Sequence, residues 1–263
     1  MHLSMSGLLA RLLAWKGVLA GGWLLLMLVA ERLRPAAPLL LTPPEGRLRL
    51  LRNFALAAIN FGLSPAVVLP LSALAASHAL AWRPAWWRGA GGLALDLLLL
   101  DGLIYWWHRA NHVWPLLWRF HMVHHLDRFL DASSAIRFHF GEVLISATAR
   151  AGAIVLLGFP LASILAFETL VLIATAFHHS NLRLPPRFEA ALALVVITPS
   201  IHWVHHRRRR SDTDSNYGTV FSFWDRLFAS RSPTRRELQM PIGVEGFDEL
   251  AIAGLITRPF RSG

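Results

Sequence analysis

Residues Val143 to Phe177 read VLISATARAGAIVLLGFPLASILAFETLVLIATAF. This long apolar block is broken near its centre by Gly158-Phe159-Pro160. A helix needs about 20 apolar residues to cross hydrocarbon roughly 30 Å thick, so each half is somewhat short for a full span. Glycine and proline at the break mark a turn. The spacing predicts a helical hairpin that crosses and returns, or dips in and returns.

Working outward, the next apolar run towards the N-terminus is Gly91 to Trp107. A short loop with Trp82, Pro84, Trp86 and Trp87 precedes it and has the composition of an interfacial aromatic belt. Phe54 to Leu80 forms a further span, expected to kink at Pro65 and Pro70. Leu8 to Ala30 is long enough for a first span if Arg11 and Lys16 snorkel. No small-x-small cleavage site follows it, so it reads as retained. Beyond the hairpin, Ala190 to Ile201 is too short to cross and is expected to be buried or interfacial. From His202 onward the chain is polar and basic. No internal repeat or low-complexity segment occurs.

Composition agrees with a bilayer setting. The chain is 54% hydrophobic and only 16% charged, against about 45–50% and roughly 25% in soluble domains. The formal charge of +10 is almost all arginine, Lys16 being the single lysine. These arginines flank apolar segments and line no polar face, which argues against a nucleic-acid partner. The loop at 31–53 carries five arginines and that at 81–90 carries two. The positive-inside rule then puts the first loop in the cytoplasm, and the histidine clusters emerge on that same side. With no cysteine, disulfides, thiolate metal sites, iron–sulfur clusters and a cysteine nucleophile are excluded.

Eleven of the 13 histidines lie between His108 and His206. His2 and His78 stand apart and read as ordinary structural residues. His108-Arg-Ala-Asn-His112 puts two imidazoles one helical turn apart on one face. His121-Met-Val-His124-His125 and His202-Trp-Val-His205-His206 share one spacing, from which three imidazoles reach one or two adjacent ions. Phe177-His178-His179-Ser180-Asn181 ends the hairpin. Imidazole without thiolate suits iron, zinc, copper or nickel. A structural zinc site needs only four ligands, so the set is large enough for two ions. None of the three motifs includes the carboxylates typical of soluble di-iron bundles.

This ordered set resembles the fatty acid hydroxylase / sterol desaturase superfamily in its bacterial branch. The resemblance covers roughly 90–230 and includes Arg137-Phe-His-Phe-Gly-Glu142, His179-Ser-Asn181, Asn216-Tyr-Gly218 and Trp224-Asp-Arg-Leu-Phe228. Phe140 stands where a proline is expected after the histidine, which loosens the loop and removes no ligand. The resemblance implies an integral-membrane, all-α helical bundle of about four spanning helices or equivalents, the hairpin included. A cytosolic helical cap would hold a histidine-rich dimetal site. It divides the chain into membrane spans and loops at 1–90, a catalytic domain at 91–230 and a cytosolic tail at 231–263. The implied ligands are His108, His112, His121, His124, His125, His179, His202, His205 and His206, with His178 as the alternative to His179. His139, Arg137, Glu142 and Asp214 would orient or cover them, and Arg137 and Glu142 either pair with each other or hold imidazoles. Asp127 and Asp131 read either as further supporting carboxylates or as solvated loop charges. Asn216 and Tyr217 would form a turn, and Trp224 to Phe228 would anchor the cap to the membrane surface.

The implied activity is hydroxylation or desaturation of a lipid-like substrate (sterol, fatty acyl or other isoprenoid or alkyl lipid). The cofactors are two iron ions, with molecular oxygen as co-substrate. Electrons must come from a separate ferredoxin, cytochrome or reductase, because no Rossmann fingerprint or haem-attachment motif is present. Arg207–Arg210 reads either as a dock for an acidic donor or as a phospholipid-facing patch. The expected location is a bacterial inner membrane with the site on its cytoplasmic face. A transporter would place polar ligands near the midplane, where only Asp96 and Asp101 stand out, and a di-zinc hydrolase would use the same ligands without oxygen.

Overall fold

A computed structural model describes residues 5–261, with side chains from residue 15 onward. The readings of His2 and of the Arg11 side chain lie outside the described residues. The described chain is helical, with three isolated β-bridges and no strand.

Helix α1 (Met5–Leu33) enters first, followed by α2 (Pro43–Leu63), which runs through a π-helical turn at Ser64–Val68 into α3 (Leu69–Ser77). The expected kink therefore falls at Pro65, whose missing N–H opens the hydrogen-bond ladder. Helix α4 (Gly89–Val113) extends past Trp107, so both His108 and His112 still lie on the span. After Trp114 the chain turns sharply into α5 (Pro115–His125), with proline in its first turn.

The hairpin is α6 (Phe140–Leu157) and α7 (Leu161–His179). Gly158 ends α6 with φ +69°, and a Cβ there would sit 2.7 Å from the Leu80 carbonyl oxygen. Only glycine fits both demands. The two helices pack on different neighbours, α6 on α3 and α7 on α1. Among the described residues, four helical segments are long and apolar enough to cross a membrane: Pro43–Ser77, Gly89–Val113, Phe140–Leu157 and Leu161–His179. The chain is an integral membrane protein built on them.

Charges inside the spans are paired, as low dielectric requires. Asp96 accepts from Arg83, Trp87 and Ser163. Asp101 accepts from the Val220 and Phe221 amides and from Trp224. Arg150 and Glu168, which the sequence reading passed over, form a further set with Lys16 across α1, α6 and α7. Trp82 and Trp86 stand exposed, as a belt would.

Below the spans, α8 (Pro186–Leu192), α9 (Pro199–His205), α10 (Arg210–Thr213) and α11 (Phe223–Leu227) build the polar cap. The Trp224–Phe228 segment was expected to anchor the cap to the membrane surface. It packs on α4, with Phe228 stacked 5.3 Å from Tyr105 and the Trp224 indole closing over Gly102. Asn216 takes φ 53°, the turn expected there. The C-terminal segment folds back: Val244 and Leu255, the latter on α12 (Ile252–Thr257), pack against Leu56, Met122 and Leu126.

Candidate metal centre

The structure gathers nine histidines into two groups. His108, His112, His121, His125 and His205 form one, and His124, His179, His202 and His206 the other. Within each group the available nitrogens all lie within 4.8 Å of one another. The stacked rings of His125 and His206, 4.2 Å apart, join the groups.

Helical spacing explains the partition. On α5, His121 and His125 share a face and serve the first group, while His124, turned aside, serves the second. At the end of α9 the roles invert: His202 and His206 serve the second group, and His205 the first. One His-x-x-His-His motif thus divides two-to-one and the other one-to-two. His108 and His112 arrive from α4, and His179 from the end of α7.

Backbone carbonyls fix the rings. Nδ1 of His108 donates to Tyr217 O at 2.9 Å, of His124 to Arg137 O at 3.1 Å, of His179 to Thr175 O at 2.8 Å and of His205 to Ser215 O at 2.6 Å. His121 Nδ1 donates to the Glu142 carboxylate at 2.7 Å. His112 Nδ1 lies 3.4 Å from Asp214 Oδ1. A carbonyl can only accept, so the rings of His108, His124, His179 and His205 carry a proton on Nδ1, which leaves Nε2 as the ligand atom. That is the usual support of a metal-bound imidazole.

The Nε2 atoms supply the test of fit. His124 Nε2 lies 3.1 Å from His179 Nε2, His179 Nε2 lies 3.0 Å from His202 Nε2, and His202 Nε2 lies 3.1 Å from His206 Nε2. Between His124 and His179 no proton is available, so two lone pairs confront one another. In the first group Nε2 of His121, His205, His112 and His125 is buried without a partner. Burying so many unpaired acceptors is costly, and a cation among them removes the cost. Separations near 3 Å suit nitrogens sharing one ion through bonds of about 2.0–2.1 Å.

Burial pushes the imidazoles of His124, His125, His202, His205 and His206 well below their ordinary pKa, and neighbouring imidazoles push the same way. The rings are therefore neutral, as ligation requires. In chelated, metal-free protein the unfolded chain binds protons that these rings refuse. Stability is then expected to fall as pH drops below about 6.5, the ordinary imidazole value. Thermal unfolding of the stripped protein between pH 8 and pH 5 checks this, and a flat midpoint contradicts it.

Other expected residues fall outside both groups. His178 is buried against the His202 ring at 4.0 Å, yet it belongs to neither set. His139 accepts the Gly141 amide at 2.9 Å and donates to Ile256 O at 3.0 Å, which makes it the N-terminal cap of α6. Arg137 and Glu142 do not pair with each other. Glu142 holds His121, while the Arg137 side chain binds Asn53, Glu249 and Val123 O. Asp127 and Asp131 are not solvated: both are buried on Arg49, and their charges also act on the His179 ring without hydrogen-bonding it. In the basic run, Arg207 pairs with Asp212 and Arg210 with Asp214, while Arg208 and Arg209 face outward.

Sequence reasoning missed Trp118, whose ring lies 5.1 Å from His112 and 5.5 Å from His125. It also missed Glu31, buried at the end of α1, which accepts the Ala132 and Asn181 amides. A carboxylate closing an apolar span was the available signal. The ring-fixing carbonyls carry no side-chain signature at all.

Comparison with known proteins agrees with this geometry. The fatty acid hydroxylase family profile matches residues 93–230. An ornithine lipid hydroxylase of Rhizobium tropici is 28% identical over 78% of this chain and 60% of its own length. An alkylglycerol monooxygenase of Danio rerio is 29% identical over 56% of this chain and 32% of its own. A very-long-chain aldehyde decarbonylase of Oryza sativa is 27% identical over 58% of this chain and 25% of its own. The chain thus spans three-fifths or less of these relatives. No solved structure matches it.

Proposed function

The chain belongs to the fatty acid hydroxylase family, and from that premise we propose that it is a di-iron, oxygen-dependent hydroxylase or desaturase of a membrane lipid. The observation that carries this reading is the pair of histidine groups: in the four-histidine group Nε2 atoms lie 3.0–3.1 Å apart, and in the five-histidine group the ligand nitrogens lie within 4.8 Å of one another. His108, His112, His121, His125 and His205 would hold one iron, and His124, His179, His202 and His206 the other. Iron supplies the redox chemistry with molecular oxygen that opens an unactivated C–H bond.

The residues of the chain do the rest. Glu142 and the carbonyls of Arg137, Thr175, Ser215 and Tyr217 orient the rings. Phe138, stacked 4.5 Å from His124, helps keep water out. The substrate enters sideways from the bilayer. The relatives' names give an ornithine lipid, an alkylglycerol and a very-long-chain aldehyde as substrates. A lipid is proposed here too, with sterol, fatty acyl and isoprenoid skeletons open. The membrane is read as a bacterial inner membrane, and the positive-inside pattern supports a site on its cytoplasmic face. The electron donor is a separate protein.

Metal content of detergent-purified protein, paired with oxygen uptake after anaerobic reduction, tests the proposal. About two irons per chain and reductant-dependent uptake, followed by turnover in a lipid screen, are expected. Two zincs from iron-replete cells with no uptake overturn it in favour of a hydrolase.

A further inference from the structure

Every histidine of the two groups is buried except His108, which is partly so, and the sequence holds no cysteine to carry an iron–sulfur centre. Electrons must therefore cross a protein wall. Trp118 forms such a wall. Its ring lies 5.1, 5.5 and 6.2 Å from the rings of His112, His125 and His121. On its other side it lines an open cavity of about 300 Å³, together with Arg208, Arg210, Glu245 and Phe247.

Two arginines, Arg208 and Arg210, line this cavity against one carboxylate, Glu245. Arg210 lies 4.3 Å over the Trp118 ring and is held there by Asp214 and by the His112 carbonyl. Arg208 is exposed; it donates to the Phe247 carbonyl at 3.3 Å, and Asp248, 3.7 Å away, is itself 96% exposed. Arg209 is exposed beside it. Such weakly engaged arginines remain free for another partner.

We propose that this cavity is the electron-entry port: an acidic one-electron carrier protein docks on Arg208 and Arg209, and Trp118 relays its electrons to the first histidine group. This inference rests on the oxygenase reading. Each turnover then takes two electrons from two carrier encounters, with two protons. One oxygen atom of O2 enters the C–H bond and the other leaves as water. An indole in ring contact with two ligands shortens the tunnelling path, while a substrate carbon would have to displace it. Redox encounters use small interfaces, and basic rims speed the approach of acidic partners.

Two measurements test this. The chain lacks cysteine, so Arg208→Cys provides a unique attachment point for a ruthenium polypyridyl photoreductant. Flash-driven reduction of the iron is expected to slow at least tenfold when Trp118→Leu is added, at unchanged iron content. An unchanged rate overturns the relay. If the leucine variant loses iron, Trp118→Phe preserves the wall and is expected to slow the rate less, and equal rates again overturn it.

For docking, the probe is an acidic [2Fe–2S] ferredoxin in stopped flow. The double change Arg208→Glu and Arg209→Glu is expected to slow ferredoxin-driven reduction at least tenfold. Wild-type reduction should weaken with salt, and dithionite-driven reduction should not change. Insensitivity to salt and to charge reversal overturns the docking face, as does altered lipid binding with intact electron delivery. Absence of iron from wild-type protein instead defeats the oxygenase reading itself.

Discussion

His124→Ala is expected to empty one metal position and leave the other filled. His124 belongs to the four-histidine group, so its loss leaves three nitrogens there. The first group starts with five and keeps four after His205→Ala. Elemental analysis should therefore fall from about two metals per chain towards one in His124→Ala. It should fall less in His205→Ala, and furthest, to about one or somewhat below, in the double variant. Oxygen uptake is expected to drop more than about a hundredfold in either single variant, since changes to residues that merely support ligands already cost about 10–100-fold. His178→Ala is the control. It lies outside both groups and is expected to retain both metals. Two metals retained by the double variant would sink the two-group assignment, and one lost from His178→Ala would redraw it.

How far the sequence reached depends on where each signal is carried. The hairpin was legible because Gly158-Phe159-Pro160 interrupts an otherwise continuous apolar block, and glycine there is demanded by a local φ of +69°. The histidine spacing was legible because i, i+4 fixes a shared helical face. What it left open was which ion each imidazole faces, because that depends on how α5 and α9 approach one another. Asp127 and Asp131 were misjudged for the same reason. Their partner, Arg49, is 78 residues from Asp127 and was counted as a loop arginine in the charge tally. Trp118 carried no pattern at all: a single tryptophan near a membrane reads as an interfacial anchor until its neighbours are known. Local periodicity thus survives translation into structure, while long-range polar pairing has to be observed.

That misjudged arginine yields the second large effect. Arg49 is 1% exposed and sits between two buried carboxylates. Its Nε and Nη2 bind Asp127 at 2.5 and 2.9 Å, its Nη1 binds Asp131 at 2.7 Å, and its Nη2 also reaches Ser134 at 2.9 Å. Burial alone would raise the Asp131 carboxyl, yet the Arg49 charge holds it below the usual carboxylate range. Arg49→Ala leaves buried Asp127 without a cationic partner and buried Asp131 with Arg32 alone, 3.6 Å away. Breaking a buried pair from one side costs about 3–5 kcal/mol, a large part of the roughly 5–15 kcal/mol by which domains are stable. Arg49→Lys is expected to recover only part of this, because an ammonium cannot match the guanidinium fork. Adding Asp127→Asn and Asp131→Asn to Arg49→Met should recover more, since no charge is then left unpaired. The effect extends to the metal centre. Asp131 caps the 3-10 turn at Ala132–Ile136, and that turn delivers the Arg137 carbonyl to His124. Thermal unfolding in detergent together with metal analysis reads both consequences. If Arg49→Ala unfolds at the wild-type temperature with full metal content, the clamp is dispensable and another contact positions His124.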